Sequence, residues 1–260
     1  MSKVAVIGAG AYGTALGGIL AENGHDIDYY DPEKEKERLK DVIAGAEAVL
    51  ISAPSEIVMK LLCHLPKTQF MIVASKGFLT TKPFEEFEDW AVLSGAGFAD
   101  DIKAKKRVSL TATDHRVAEL FKCSSVRFDY TDDRLGVLMC GALKNIYAIR
   151  AGQLNLRPNT KKKESYIYEA TKEMAEILHL NDAKASTLKL ACGMKDLILT
   201  CGTNSRNFQF GQMVLKGLDS KPEMTVEGLA GLKRIRRGEI EVPEKATILR
   251  SIIEESEQWV

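Results

Sequence analysis

Four apolar residues, Val4–Ile7, run straight into Gly8-Ala9-Gly10-Ala11-Tyr12-Gly13, and a helical pattern through Leu16, Leu20 and Ala21 follows. This is G-x-G-x-x-G in a strand-turn-helix context, which restricts the chain to a βαβ beginning. Gly8 serves the tight turn, Gly10 the close approach of a pyrophosphate, and Gly13 the packing of helix on strand. Ala11 and Tyr12 fall in the first helical turn, where N–H groups lack intrahelical partners and can meet phosphate. At the end of the next apolar run stands Asp31, 18 residues beyond Gly13. A carboxylate there accepts hydrogen bonds from an adenosine ribose and repels a 2′-phosphate, which favours NAD over NADP. Lys34 and Lys36 could still supply positive charge if the loop folds back. The bland alternatives are a glycine turn that binds nothing and an Asp31 that caps the turn before Pro32.

The same alternation continues to about residue 130. Apolar runs at Val4–Ile7, Ile27–Tyr30, Ala48–Ser52, Phe70–Ala74, Ala91–Leu93, Val108–Thr111 and Val126–Tyr130 are separated by helical patterns, as in a doubly wound, mostly parallel sheet. One such pattern, Ile57, Val58, Leu61, Leu62 and Leu65, follows Ser55, a candidate N-cap. After Asp133 the strand signals stop and stripes such as Tyr166, Ile167, Ala170, Met174, Ile177 and Leu178 take over. The expectation is α/β: a Rossmann-like domain over 1–132 and an all-helical domain over 133–260. The last helix is expected to start near Pro243 and to carry Ile248, Leu249, Ile252 and Ile253 on one face. Lys161–Lys163 reads as a solvated helix start.

Composition narrows the partners. With 36 basic and 36 acidic residues the net charge is zero, so bulk electrostatics recruits neither nucleic acid nor an anionic membrane, and any anion must be caught locally. Lys3 ahead of Val4–Leu20 imitates a secretory leader, but Gly8, Gly10 and Gly13 interrupt it. No other apolar run approaches the ~18 residues of a membrane span; the expected location is cytoplasmic. Five scattered cysteines without a C-x-x-C pair read as buried free thiols, and no histidine or cysteine cluster has metal-ligand spacing.

Four further segments are motif-like: SKGF at Ser75–Phe78, SGAGFADD at Ser94–Asp101, GVLMCGALKNIYAI at Gly136–Ile149 and DLILTCGTNSRNFQFG at Asp196–Gly211. In the third, Leu135, Leu138, Met139, Leu143, Ile146 and Tyr147 form an apolar stripe. Lys144 falls off it, level with Gly136, Cys140, Gly141 and Ala148, so a pocket over small side chains is expected. Lysine is a proper acid or base when neighbouring cations and partial desolvation lower its pKa. Ser205-Arg206-Asn207 offers a hydroxyl, a guanidinium fork and an amide at an expected helix start, a local anion trap.

Read with the glycine loop, these segments resemble the bacterial form of the NAD(P)-dependent sn-glycerol-3-phosphate dehydrogenase family over nearly the whole chain. The resemblance implies hydride transfer between a nicotinamide and C2 of a triose phosphate, interconverting dihydroxyacetone phosphate and sn-glycerol 3-phosphate for phospholipid head groups, in a homodimer. It implies Lys144 as the proton donor in reduction and as the base in oxidation, with Asp196 orienting either the lysine or the substrate hydroxyls and Asn145 in support. Lys76 would lie between cofactor and substrate, stabilising the developing alkoxide. It also implies Gly95, Thr200, Ser205, Arg206 and Asn207 around the substrate, and Ala99, Arg206 and Glu227 around the cofactor. Departures are local. Only 16 residues separate Asp31 from Ala48, too few for a loop, helix and extra strand, and Ala96 and Gly97 replace the family's proline and serine. Two other readings stay open: a related lysine-dependent hydroxyacid or sugar-acid dehydrogenase, against which the anion trap argues, and a non-catalytic NAD-binding redox sensor.

Overall fold

The computed structural model describes residues 2–35, 37–217 and 225–259. Two compact units emerge, Met1–Lys76 with Thr81–Arg134, and Gly77–Thr80 with Leu135–Val260. In the first unit the order is β1 (Lys3–Ile7), α1 (Ala11–Glu22), β2 (Asp26–Tyr30), α2 (Leu39–Ile43), β3 (Ala48–Ile51), α3 (Ser55–Leu61), β4 (Phe70–Val73), β5 (Trp90–Ala96), α4 (Ala99–Lys103), β6 (Val108–Ala112), α5 (His115–Leu120) and β7 (Val126–Tyr130). All seven expected strands form, in the order β2-β1-β3-β4-β5-β6-β7. Every pairing is parallel except β5 with β6. Central strands are buried along nearly their whole length, whereas the edge strands β2 and β7 are only partly covered, the pattern of a sheet covered on both faces. On one face Val4, Val6, Leu50, Ile72 and Leu93 pack with Leu16, Ile19 and Leu20 of α1, Ile102 of α4 and Val117 of α5. Each such side chain contributes on the order of 1.5–3 kcal/mol when fully buried.

Strand order reverses at β1: β2 lies on one side, β3 on the other. The carboxyl ends of β1 and β3 therefore flank a topological switch point, where doubly wound sheets bind ligands. Between Asp31 and Ala48 the described residues hold only the five-residue α2, as the short spacing requires.

The second unit contains α6 (Arg134–Gln153, one residue of the first unit included), α7 (Lys161–Leu180), α8 (Asp196–Thr200), α9 (Arg206–Leu215), α10 (Glu227–Arg236) and α11 (Thr247–Glu255). Thr160 caps α7 through Lys163 N, so Lys161–Lys163 is a helix start. A Cβ on Gly152 would stand 2.0 Å from Phe208 O, and one on Gly211 1.9 Å from Ile149 O. Reciprocal glycines thus let α6 and α9 cross backbone to backbone, closer than any side chain allows. Glu173 is buried on α7 and accepts Tyr147 Oη at 2.9 Å, Ile248 N at 2.7 Å and Leu249 N at 3.1 Å, so it caps α11 from another helix.

Four expectations need correction. Ser55 is the first residue of α3 and Pro54 its N-cap; proline's fixed φ pre-sets the entry. The last helix starts at Thr247, not near Pro243, because the Pro243 carbonyl closes a turn with Ala246 N and accepts Arg250 Nε. Helix α6 is buried on almost every side rather than along one stripe, from Gly136 to Ile149 without a break; α7, α9 and α10 all pack around it. Of the thiols, Cys140, Cys192 and Cys201 are buried, but Cys63 is exposed and Cys123 half-buried. Burial pushes the Cys201 thiol up to about 12.

Candidate active site

The glycine loop of the first unit presents backbone. Gly8 follows β1 with φ +111°, and a Cβ there would lie 2.5 Å from Ala53 N; both the conformation and the space exclude a side chain. A Cβ on Gly13 would lie 2.0 Å from Gly8 O and 2.3 Å from Ser52 Oγ. Ser52 Oγ donates to Gly8 O at 3.0 Å, and Ala53 N to Ile7 O at 3.1 Å, so the end of β3 locks the turn. Sequence reasoning missed Ser52; its signal is a hydroxyl placed directly after a buried strand. Gly10 differs, since a Cβ there would meet no protein atom within 4 Å. Its glycine is not required by the protein's own packing. Gly10 is the N-cap of α1, with no side-chain cap and no acid in the first turn. Gly10 and Ala11 are exposed and Tyr12 half-buried, so outward N–H groups and the positive end of a 12-residue helix fit a pyrophosphate.

Asp31 follows β2. Its Oδ1 accepts Glu33 N at 3.1 Å and its Oδ2 pairs with Lys34 Nζ at 3.1 Å. Partial burial raises this carboxyl, but the Lys34 and backbone hydrogen bonds outweigh it and hold it below the usual carboxylate range. The loop does fold Lys34 back; Lys36 lies outside the described residues. Lys76, just past β4, donates to Gly95 O at 3.3 Å and sits 4.9 Å above the Tyr12 ring. Gly95 itself lies in β5 with φ +152°, and Ala99 opens α4.

The second unit builds with buried side chains. Lys144 is 3% exposed, Asp196 1% and Thr200 4%. Lys144 Nζ stands 2.5 Å from Asp196 Oδ2 and donates to Thr200 Oγ1 at 3.0 Å, while Thr200 Oγ1 lies 3.4 Å from Asp196 Oδ1. Asp196 and Thr200 open and close α8, one turn apart on a single face. A buried ammonium is tolerable only with such a partner. Lys144 therefore lies within a polar cluster, not above an open floor of small residues.

Next to it runs an amide chain. Gly228 N donates to Asn207 Oδ1 at 2.9 Å, Asn207 Nδ2 to Asn145 Oδ1 at 3.0 Å, and Asn145 Nδ2 to Gly141 O at 3.1 Å. The backbone donor at one end sets the direction of the whole chain. Ser205 is the buried N-cap of α9, accepting Phe208 N at 3.5 Å. Arg206, the first helical residue, is exposed, and Glu227 opens α10 half-exposed. All three members of the expected anion trap are at a helix start as predicted. Among the described residues no group of three or more histidine, cysteine or acidic side chains could hold a metal ion.

A buried lysine on α6 is thus paired with an aspartate and a threonine of α8, in a chain that also carries an uncapped glycine loop. Residues 133–254 match the family model described as NAD-dependent glycerol-3-phosphate dehydrogenase C-terminus, and residues 3–42 match its N-terminus. A glycerol-3-phosphate dehydrogenase [NAD(P)+] of Citrifermentans bemidjiense is 31% identical, over 83% of this chain and 79% of the relative. The chain belongs to the NAD(P)-dependent glycerol-3-phosphate dehydrogenase family. Another glycerol-3-phosphate dehydrogenase [NAD(P)+], from Shouchella clausii, is 30% identical over 95% of this chain and 88% of its own length. In three dimensions the glycerol-3-phosphate dehydrogenase of Coxiella burnetii superposes with a TM-score of 0.80 at 23% identity, covering 99% of this chain and 96% of that one. That likeness bears on the fold: a Rossmann-like sheet followed by a helical domain. No helix among the described residues is long and apolar enough to cross a membrane.

Proposed function

We propose that this dehydrogenase interconverts dihydroxyacetone phosphate and sn-glycerol 3-phosphate, with NADH preferred and NADPH also accepted, in a cytoplasmic homodimer that feeds glycerophospholipid synthesis. The observation that carries the reading is the buried Lys144, held by Asp196 and Thr200 on one face of α8. A charge that costly to bury serves proton transfer better than stability. We assign 1–132 to the cofactor and 133–260 to substrate and catalysis.

When bound, the nicotinamide exchanges a hydride with C2 of the triose phosphate. Lys144 holds a proton on Nζ and delivers it to the C2 oxygen in reduction; in oxidation Nζ takes the C2 hydroxyl proton. Asp196 compensates the ammonium charge, and Thr200 fixes the direction of Nζ. Lys76 adds positive charge where alkoxide character develops. Arg206, exposed at the first turn of α9, meets the phosphate with its fork and with the helix's N–H groups. Ser205 and Asn207 hold that turn, and Asn145 holds Asn207. Gly8, Gly10, Ala11, Tyr12 and Gly13 receive the pyrophosphate and Asp31 the ribose. Glu227 and Ala99 border the cofactor, and Gly95 the substrate.

The test is the decay of nicotinamide absorbance with purified protein and dihydroxyacetone phosphate, run with NADH and NADPH in parallel. Decay that depends on the triose phosphate and is faster with NADH is the expected result. No decay with either cofactor overturns the reading; decay with NADPH alone overturns the role given to Asp31.

A further inference from the structure

One buried cation takes no part in the chemistry above. Arg234, in the last turn of α10, has a side chain only 9% exposed. Its Nη1 lies 3.2 Å from both carboxylate oxygens of Glu239, and its Cζ lies 5.0 Å from the centroid of the Phe78 ring. Glu239 reaches it because the chain reverses at Gly238, φ +74°, where Glu239 N bonds back to Arg234 O at 3.2 Å. A cation at a helix C-terminus is favourable in itself, but that benefit needs only an exposed lysine. Apolar side chains replacing a buried ion pair are often neutral or stabilising. What an apolar residue would not reproduce is a planar, charge-bearing group fixed in place over an aromatic face.

Phe78 is fully buried and Leu79 nearly so. They lie in the short segment Gly77–Thr80, which packs as part of the helical unit although it interrupts the sheet unit in sequence. The residue immediately before that segment is Lys76. Its ammonium donates to Gly95 O at 3.3 Å and lies over the Tyr12 ring, and its backbone is joined directly to the segment that holds Phe78.

We propose that Arg234 and Phe78 are positioning residues for Lys76: the guanidinium, held by Glu239, clamps the Phe78 ring and thereby sets the backbone two residues upstream. The proposal rests on the reading of Lys76 given above, and the experiment separates the two. Steady-state turnover of dihydroxyacetone phosphate with NADH is measured for Lys76→Met, Arg234→Met, Arg234→Lys and the Lys76→Met/Arg234→Met pair. Thermal midpoints and NADH affinity by fluorescence titration are measured on the same preparations. Arg234→Met is expected to lower kcat about tenfold, the scale of a sub-ångström misplacement of a catalytic group, with NADH affinity unchanged. Arg234→Lys should fare no better, since it lacks the planar fork. On the Lys76→Met background, Arg234→Met should cost nothing further. Losses that multiply in the double variant, or that follow the thermal midpoint or NADH affinity instead of kcat, overturn the proposal. Normal turnover in Lys76→Met overturns the Lys76 reading and this proposal with it. If Arg234→Met does not accumulate, Glu239→Gln carries the same cycle, because it loosens the guanidinium while leaving the ring buried.

Discussion

The glycine loop and the Lys144 cluster solve opposite problems. The loop removes side chains so that backbone N–H groups can face a ligand. At Gly8 and Gly13 the space is filled by Ala53, Ser52 and the loop itself, while at Gly10 no protein atom comes within 4 Å. The cluster instead surrounds an ammonium with a carboxylate and a hydroxyl and buries all three. The first site is local, six consecutive residues from the turn after β1 into the first turn of α1. The second joins Lys144 of α6 to Asp196 and Thr200 of α8, across a whole helix and two short helical segments. Backbone sites are thus broken by adding atoms, and side-chain sites by removing them.

The largest effect is expected at the cluster. Lys144→Met should lower kcat/KM for dihydroxyacetone phosphate by about 10²- to 10⁴-fold, the usual worth of a positioned acid or base, while NADH affinity measured by fluorescence stays the same. Equal losses in NADH affinity would dissolve the contrast between the two sites. Next come two alanines in the loop. Gly13→Ala must displace Gly8 O or Ser52 and should cost about 1–3 kcal/mol in urea unfolding, together with cofactor binding. Gly10→Ala should cost at most about 0.5 kcal/mol in unfolding, the difference between glycine and alanine at an N-cap, and weaken NADH about tenfold, roughly 1.4 kcal/mol. A loss of stability as large as that of Gly13→Ala would show that this glycine serves the fold.

Smaller still is Thr200→Val, which removes an acceptor of the Lys144 proton and should lower kcat about tenfold, as one hydrogen bond to a charged group allows. The smallest effect belongs to Lys34. Because the Asp31–Lys34 pair is exposed on the lysine side, Lys34→Ala should reduce kcat/KM with NADPH about threefold and leave NADH unaffected, consistent with the modest worth of surface ion pairs. An equal change with both cofactors would remove Lys34 from the choice between them.

Much of the fold was legible along the chain. Each of the seven apolar runs falls on a strand of the described residues, and the central ones were clearest, since a strand buried on both faces is written as consecutive apolar residues. Val4–Ile7 and Ala48–Ile51 are clear examples. Helix limits were less legible: Pro243 looks like a first turn, yet its carbonyl is taken by Ala246 and Arg250, partners a one-dimensional pattern does not reveal. Glu173 gave a readable but unread sign, a carboxylate within the apolar stripe of α7, and only the approach of α11 shows what it binds.

The sequence by itself determined the strand-turn-helix opening, the switch from strands to helices after Asp133, and the residue types available for proton transfer and anion binding. These follow from short-range rules, in which glycine, alternation and helical period act within a few residues of one another. Only the tertiary structure decided that Lys144 is enclosed, that Asp196 contacts the lysine itself and Thr200 joins the pair, that Ser52 locks the glycine turn, and that Arg234 lies over Phe78. Each of those depends on groups far apart in the chain being brought within hydrogen-bond or van der Waals range, and that distance is set by how whole elements pack.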